Sequence, residues 1–313
     1  MTDWHGKPYY SLDAYCKNTF HHKLYKIALN AHLTCPNRDG TLGLRGCIFC
    51  SAGGSGEFAV PVDDFQDVSH QLEKGLSLFG EKKVGEEFIG YFQAFTNTYA
   101  PVSHLEKLYE SALCHPKIRG ISIATRPDCV GEPVIALLQS LKERFPEKFI
   151  WVELGLQTIN EKTAKYIRRG YPLEVFDDAL RRLQGAGLPV IVHLILGLPG
   201  ETVDDMRKSV AYVSDVHPFG IKLQLLHVLR GTDLAAEYEE GKFEVLSKEE
   251  YLSLLSKAIA SLDESIVIHR LTGDGRGEDL IAPDWSRNKK DVLNSLHHLL
   301  KEKGIRQGCL IKR

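Results

Sequence analysis

Apolar positions along this chain alternate between two patterns. Short, nearly continuous apolar runs occur at 23–31 (KLYKIALNA), 88–94 (FIGYFQA), 120–125 (GISIAT), 149–156 (FIWVELGL), 189–196 (PVIVHLIL) and 220–229 (GIKLQLLHVL). Runs this dense read as strands buried on both faces. Between them, segments 62–79, 103–114, 132–145, 160–168, 172–186 and 201–216 space their apolar residues by three and four, with starts such as Pro101 with Ser103, or Pro172. That is the helical period. Strands alternating with helices predict a parallel sheet with right-handed crossovers. Six units fall short of the eight in a closed barrel, so the expected fold is α/β, a partial (β/α)6 barrel with its chemistry at the C-terminal strand ends. A long helix (247–263), a short strand (SIVIHRL, 265–271), a Gly-rich turn and a helix near 287–303 then predict a C-terminal α/β extension. The expected division is 1–240 for the barrel and 241–313 for the extension packed on it.

A chain of 313 residues buries roughly three quarters of the surface its unfolded form exposes, so a metal is not needed to stabilise it. Composition is that of an ordinary globular protein, with 43% hydrophobic and 26% charged residues and neither repeat nor Pro/Gly/Ser-rich linker, which excludes collagen-like and wholly disordered classes. The formal charge is −2, so nothing global announces a polyanion partner. Locally, Trp285 to Arg313 holds eight Lys or Arg against Asp291 and Glu302, either a solvated helix face and basic tail or a phosphate contact. The N-terminal residues lack a basic segment leading into an apolar one, and the longest apolar run, LPVIVHLILGLPG, is interrupted by His193. No membrane partner and a cytoplasmic location are expected.

In a reducing compartment the seven cysteines are thiols or metal ligands rather than disulfides. After the first strand, CPNRDGTLGLRGCIFC places Cys35, Cys47 and Cys50 in a C-x11-C-x2-C spacing. Three thiolates are one fewer than the usual set for structural zinc or an electron-transfer cluster. Either a [4Fe–4S] cluster keeps one iron open to a small molecule, or zinc is completed by a histidine such as His32. Cys16, Cys114, Cys129 and Cys309 read as packing or surface thiols.

The three-cysteine loop, with Phe49 before its last cysteine and a six-unit βα array behind it, resembles the radical S-adenosylmethionine (radical SAM) superfamily. TRPD (125–128), ELGLQT (153–158), RRGY (168–171), GLPGET (197–202) and LRGTDLA (229–235) resemble its branch containing the catalytic subunit of elongator. CPNRDG, FQAFTNTYAP, HRLTGDG, APDWS and the late QG are similar to the YtqA/YhcC-type subfamily. The resemblance implies a [4Fe–4S] cluster on Cys35, Cys47 and Cys50, reductive cleavage of SAM to a 5′-deoxyadenosyl radical, and an electron donor such as flavodoxin or ferredoxin. It also implies tRNA as substrate, at the C5 side chain of a wobble uridine. The alternatives are a small-molecule oxidative enzyme of coproporphyrinogen dehydrogenase type, and a non-catalytic zinc-dependent RNA-binding module.

The resemblance further implies SAM contacts from Gln157 at the ribose hydroxyls and Arg169 at the methionine carboxylate, 12 residues apart. A guanidinium fork suits a carboxylate, and an amide can pair with vicinal hydroxyls. Gln93, Thr96 and Asn97 fall where the family contacts the SAM amino group, or they form a capped turn. His193 stands where relatives place a ribose-binding carboxylate, or is a satisfied core histidine. Gly53, Gly54 and Gly56 allow close backbone approach or make a flexible turn. Glu153, Arg126 and Lys222 are charges at strand ends in apolar surroundings, where they pair with each other or face SAM or substrate.

Overall fold

The structure is a computed structural model that describes residues 3–54, 56, 59, 68–79, 85–273 and 277–311. Six strands rise in the expected order: β1 (Tyr25–Leu29), β2 (Phe88–Phe92), β3 (Ile118–Thr125), β4 (Phe149–Gln157), β5 (Val190–Leu196) and β6 (Gly220–Leu225). Each pairs in parallel with the next. The 220–229 run is broken. After β6 the chain turns at Leu226 and His227 into a two-residue β7 (Val228–Leu229). The C-terminal segment then supplies β8 (Val267–Arg270), which pairs in parallel with β6, and β9 (Leu280–Ala282), which pairs antiparallel with β7. The main sheet is therefore seven-stranded, in the order β1-β2-β3-β4-β5-β6-β8.

Helices return the chain between strands: α1 (Leu12–Phe20) before β1, α2 (Val68–Ser77), α3 (Val102–Cys114), α4 (Glu132–Arg144), the pair α5 (Glu161–Tyr166) and α6 (Leu173–Gly185), α7 (Val203–Asp215), then α8 (Asp233–Glu239) and α9 (Lys248–Ser261) before β8, and α10 (Lys289–Glu302) last. Residues 62–67 of the expected 62–79 helix, and 274–276 of the Gly-rich turn, lie outside the described residues. Local chemistry sets the helix starts. Thr202 and Asp205 close a capping box on α7, and Ser247 and Glu250 close another on α9, each satisfying two backbone donors that a helix start leaves unpaired.

The sheet has two unlike faces. Its outer face meets the crossover helices in the main core, with Leu29, Phe92, Ile121, Leu154, Val192 and Leu223 against Leu105, Leu138, Phe176, Val210 and Leu255. Each such side chain contributes about 1.5–3 kcal/mol of burial. The inner face is filled at its lower, N-terminal end by Ile89, Trp151 and Ile191 with Cys16, Tyr15 and Phe20 of α1. Trp151 stacks on Phe149 at 4.1 Å, and Phe219 meets Tyr15 edge-on at 5.0 Å. Cys16 is buried in this plug, with its thiol pushed up to about 11 chiefly by burial. Cys114 and Cys309 are exposed, and Cys129 is half-buried. Higher on the inner face the residues turn polar, and there the site begins.

Candidate active site

The loop after β1 is tied down at both ends of its cysteine set. Arg38 and Asp39 donate backbone N–H groups to the Cys35 carbonyl, and Cys50 N–H donates to the Cys47 carbonyl at 3.0 Å. Ile48, between the last two cysteines, is 5% exposed and packs among Ile167, Ile195, Leu198, Leu226 and Leu234. Asn37 fastens the loop sideways, its Nδ2 donating to the Arg168 carbonyl at 2.7 Å and lying 3.5 Å from Cys47 Sγ. Apolar and polar anchors thus fix a loop that has no secondary structure. Cys47 is half-buried, and burial, with Cys50 beside it, pushes its thiol up to about 12. It becomes a thiolate only with a metal to replace the lost hydration.

Cys35, Cys47 and Cys50 all line one cavity of about 230 Å³ above the inner face of the sheet. Phe49, Gln93, Thr96, Arg126, Glu153, Gln157, Arg169 and His193 line it too. Asn97 and Lys222 are not among the lining residues. Asn97 is fully buried and donates Nδ2 to the carbonyls of Phe92 and Ala124, joining the ends of β2 and β3. Its side chain holds the FQAFTNT turn in place. Of the residues absent from the sequence-based set, Tyr91, Arg38, Tyr171, Gln224, His227 and Arg270 line the cavity. Tyr171 and Arg270 were within reach, since they fall inside the quoted RRGY and HRLTGDG stretches.

Gln157 terminates β4 with a left-handed backbone, φ 67°, at an irregularity in the β4–β5 register. A non-glycine residue there is uncommon. Its amide folds back over Gly155, where an added Cβ would stand 2.8 Å from Gln157 Nε2. Gln157 Oε1 is buried with no hydrogen-bond partner among the described residues, an acceptor that a ligand hydroxyl could satisfy. Arg169 is 1% exposed and its fork is already engaged. Nε donates to the Tyr171 carbonyl, Nη1 to the carbonyls of Leu156 and Thr158, and Nη2 to Glu161 at 2.7 Å. It therefore braces the strand end that presents Gln157. Arg126 is likewise held in a two-point pair with Asp128, at 3.0 and 2.7 Å, and donates to the Arg169 carbonyl.

Of the three charges expected to pair at the barrel mouth, Glu153 and Lys222 do so, while Arg126 pairs with Asp128 instead. Glu153 has no exposed surface. Its Oε1 accepts from Lys26 at 2.7 Å and Ser122 at 2.5 Å, and its Oε2 from His193 at 2.7 Å and from Lys222. Lys222 also donates to the Tyr91 hydroxyl at 2.9 Å. Burial alone would raise the Glu153 carboxyl, but Lys222, Lys26 and the His193 hydrogen bond outweigh it and hold Glu153 well below the usual carboxylate range. His193 is lowered to about 4, chiefly by burial and then by Lys222. It is neutral at pH 7, and Nε2–H is the hydrogen that faces Glu153.

Among the described residues no group of three or more His, Cys, Asp or Glu side chains is arranged to enclose a single metal ion. His32 is exposed and is not among the lining residues. Arg287 is tied to Asp284 and to the Leu280 carbonyl, on the β9 side. Gln307, at the other end of α10, is bonded to the carbonyls of Asp263 and Ile266, at the lower edge of the sheet. Lys312 and Arg313 lie outside the described residues, and no helix among the described residues is long and apolar enough to cross a membrane.

Comparison with known proteins follows the same outline. The family described as "Radical SAM superfamily" matches residues 40–213, and "Radical_SAM C-terminal domain" matches 218–302. The protein YtqA of Bacillus subtilis (strain 168) is 41% identical over 98% of this chain and 94% of its own length. The tRNA uridine(34) acetyltransferase of Methanocaldococcus infernus is 27% identical over 61% of this chain and 34% of its own. In three dimensions, the archaeal M. infernus Elp3 with an N-terminal deletion has a similar fold, with a TM-score of 0.68 and 18% identity, covering 91% of this chain and 64% of that one.

Proposed function

Because this chain belongs to the radical SAM superfamily, whose members use a [4Fe–4S] cluster and SAM, we propose that it is a tRNA-modifying enzyme acting at the C5 side chain of the wobble uridine. Cys35, Cys47 and Cys50 would hold the cluster and leave one iron for the methionine end of SAM. When bound, the pair supplies reductive cleavage of the sulfonium to a 5′-deoxyadenosyl radical, which takes hydrogen from the substrate. The electron would come from a donor such as flavodoxin or ferredoxin.

The observation that carries this reading is the opening of three thiols and the unpartnered Gln157 Oε1 into one cavity. The donor set fits the cofactors, with soft sulfur for iron and an acceptor amide for ribose hydroxyls. Arg169 and Asn97 serve by positioning, holding the strand end of Gln157 and the FQAFTNT turn. Gln93 and Thr96 line the same wall and would face the amino group of SAM. Similarity to a tRNA uridine(34) acetyltransferase supports the substrate class. Exposed Arg45 on the cysteine loop and Arg230 after β7 could neutralise phosphates near the mouth.

Two measurements test the reading separately. Anaerobically reconstituted protein should carry iron, absorb broadly in the visible and release 5′-deoxyadenosine from SAM on reduction. Mass spectrometry of tRNA nucleosides should show an altered wobble uridine in cells lacking the gene. An unchanged nucleoside profile removes tRNA and leaves the radical chemistry standing.

A further inference from the structure

In the wall that carries the thiols, one cation is held without an acid. Arg38 follows Cys35 on the loop between the first two cysteines, and it lines the same cavity as all three. Its Nη2 donates to the carbonyl of Cys50 at 2.9 Å and to that of Ser51 at 2.5 Å, so the guanidinium is seated against the backbone of the last cysteine. Packing fixes it there. A Cβ added at Gly46, whose φ is 73°, would stand 2.8 Å from Arg38 Nε, and the Phe95 ring lies 5.8 Å from Arg38 Cζ. Carbonyls orient a guanidinium but do not neutralise it. Arg126 pairs with Asp128 and Arg169 with Glu161, whereas half-buried Arg38 forms no ion pair with any Asp or Glu among the described residues. Cys47 also has a polar neighbour, Asn37 Nδ2 at 3.5 Å from its sulfur, but that amide brings a hydrogen bond and no charge.

Three thiolates outweigh the two positive charges of an oxidised [4Fe–4S] core, and the single electron that precedes SAM cleavage adds a further negative charge. The potential of such a cluster follows the net charge and the hydrogen bonds around it. We propose that Arg38 sets how readily the cluster is reduced: its uncompensated charge, fixed at the Cys50 backbone, favours the reduced state and raises the reduction potential. The electron comes from the flavodoxin or ferredoxin, and no bond forms or breaks at Arg38. The residue acts by position, through the cluster, and not on the substrate. Its role rests on the radical SAM reading but not on tRNA as the substrate.

The test is an anaerobic redox titration of the reconstituted full chain without SAM, in which electron paramagnetic resonance follows the reduced cluster and iron is determined on the same samples. Wild type is compared with Arg38→Lys, which keeps the charge, and with Arg38→Gln, which keeps an N–H donor and loses the charge. In Arg38→Gln the reduced cluster should be about tenfold harder to form, the scale of one unit charge in a half-buried site. That is a shift of about 59 mV to more negative potential, with iron content unchanged. Arg38→Lys should titrate near the wild type. Loss of the cluster from Arg38→Gln alone would support the same role, because the loop would then need the charge itself. The proposal falls if loaded Arg38→Gln titrates with the wild type, or if Arg38→Lys shifts as far as Arg38→Gln. It falls too if both variants lose iron, since the side chain would then be only a clamp on the loop. A wild-type chain that takes up no cluster would overturn the radical SAM reading itself, and this role with it.

Discussion

A carboxylate ringed by two ammonium groups, an imidazole and a hydroxyl can be broken only at high cost. Glu153→Gln leaves buried Lys222 and half-buried Lys26 without their counter-ion, so it should destabilise the protein by about 3–5 kcal/mol, read from urea midpoints at pH 7.5. His193 predicts a pH dependence. Its folded value near 4 lies below the unfolded value, about 6.5, so the unfolded chain binds more protons between the two. Stability should be full above about pH 6.5 and fall by roughly 3 kcal/mol as the pH drops to about 4. His193→Gln should flatten that slope, and an equal slope in the variant would rule the assignment out. In the cysteine set, Cys47→Ala should lose iron and SAM cleavage together, while exposed Cys114→Ala should lose neither, as iron content and 5′-deoxyadenosine yield will show. Lys222 and Glu153 stand out in the sequence as charges inside apolar strands. Lys26, which completes the set, is hidden because KLYKIALNA carries two lysines, and only the strand's register says which one points inward.

Secondary structure was legible where patterns were long. Six strands and their crossover helices follow from dense apolar runs and helical spacing, because a sheet covered on both faces leaves little room for polar residues. Short pieces escaped. The helix α1 is nine residues long with a weak apolar stripe, and β7 and β9 are two and three residues long, held by their partner rather than by propensity. SIVIHRL was readable as a strand, yet its place beside β6 depends on a contact that spans the whole of α8 and α9. Helix α10 buries Val292, Leu296 and Leu300, spaced by four, and it contacts α9. Leu296→Ala should therefore cost about 2–5 kcal/mol of unfolding free energy, measured by denaturant titration. A cost under about 1 kcal/mol would mean that α10 is dispensable to the core.

The whole molecule keeps its stability and its reactive loop apart. The main core lies between the outer sheet face and the helices, whereas the cysteines sit on a loop anchored by Ile48 and Asn37. Removing iron with a chelator should leave far-ultraviolet circular dichroism nearly unchanged and lower the thermal midpoint only by the linkage of cluster binding. Collapse of the spectrum would mean that the metal organises the fold. The chamber's shape was not written in any single motif, since it arises where the ends of β2 to β6 and β8 meet the cysteine loop and the turns that follow the strands. One feature of that shape bears on access. With Tyr15, Phe20 and Trp151 stopping the lower end among the described residues, a guest on the inner face of the sheet has no way out through the base of the barrel and must come and go on the side of the strand ends.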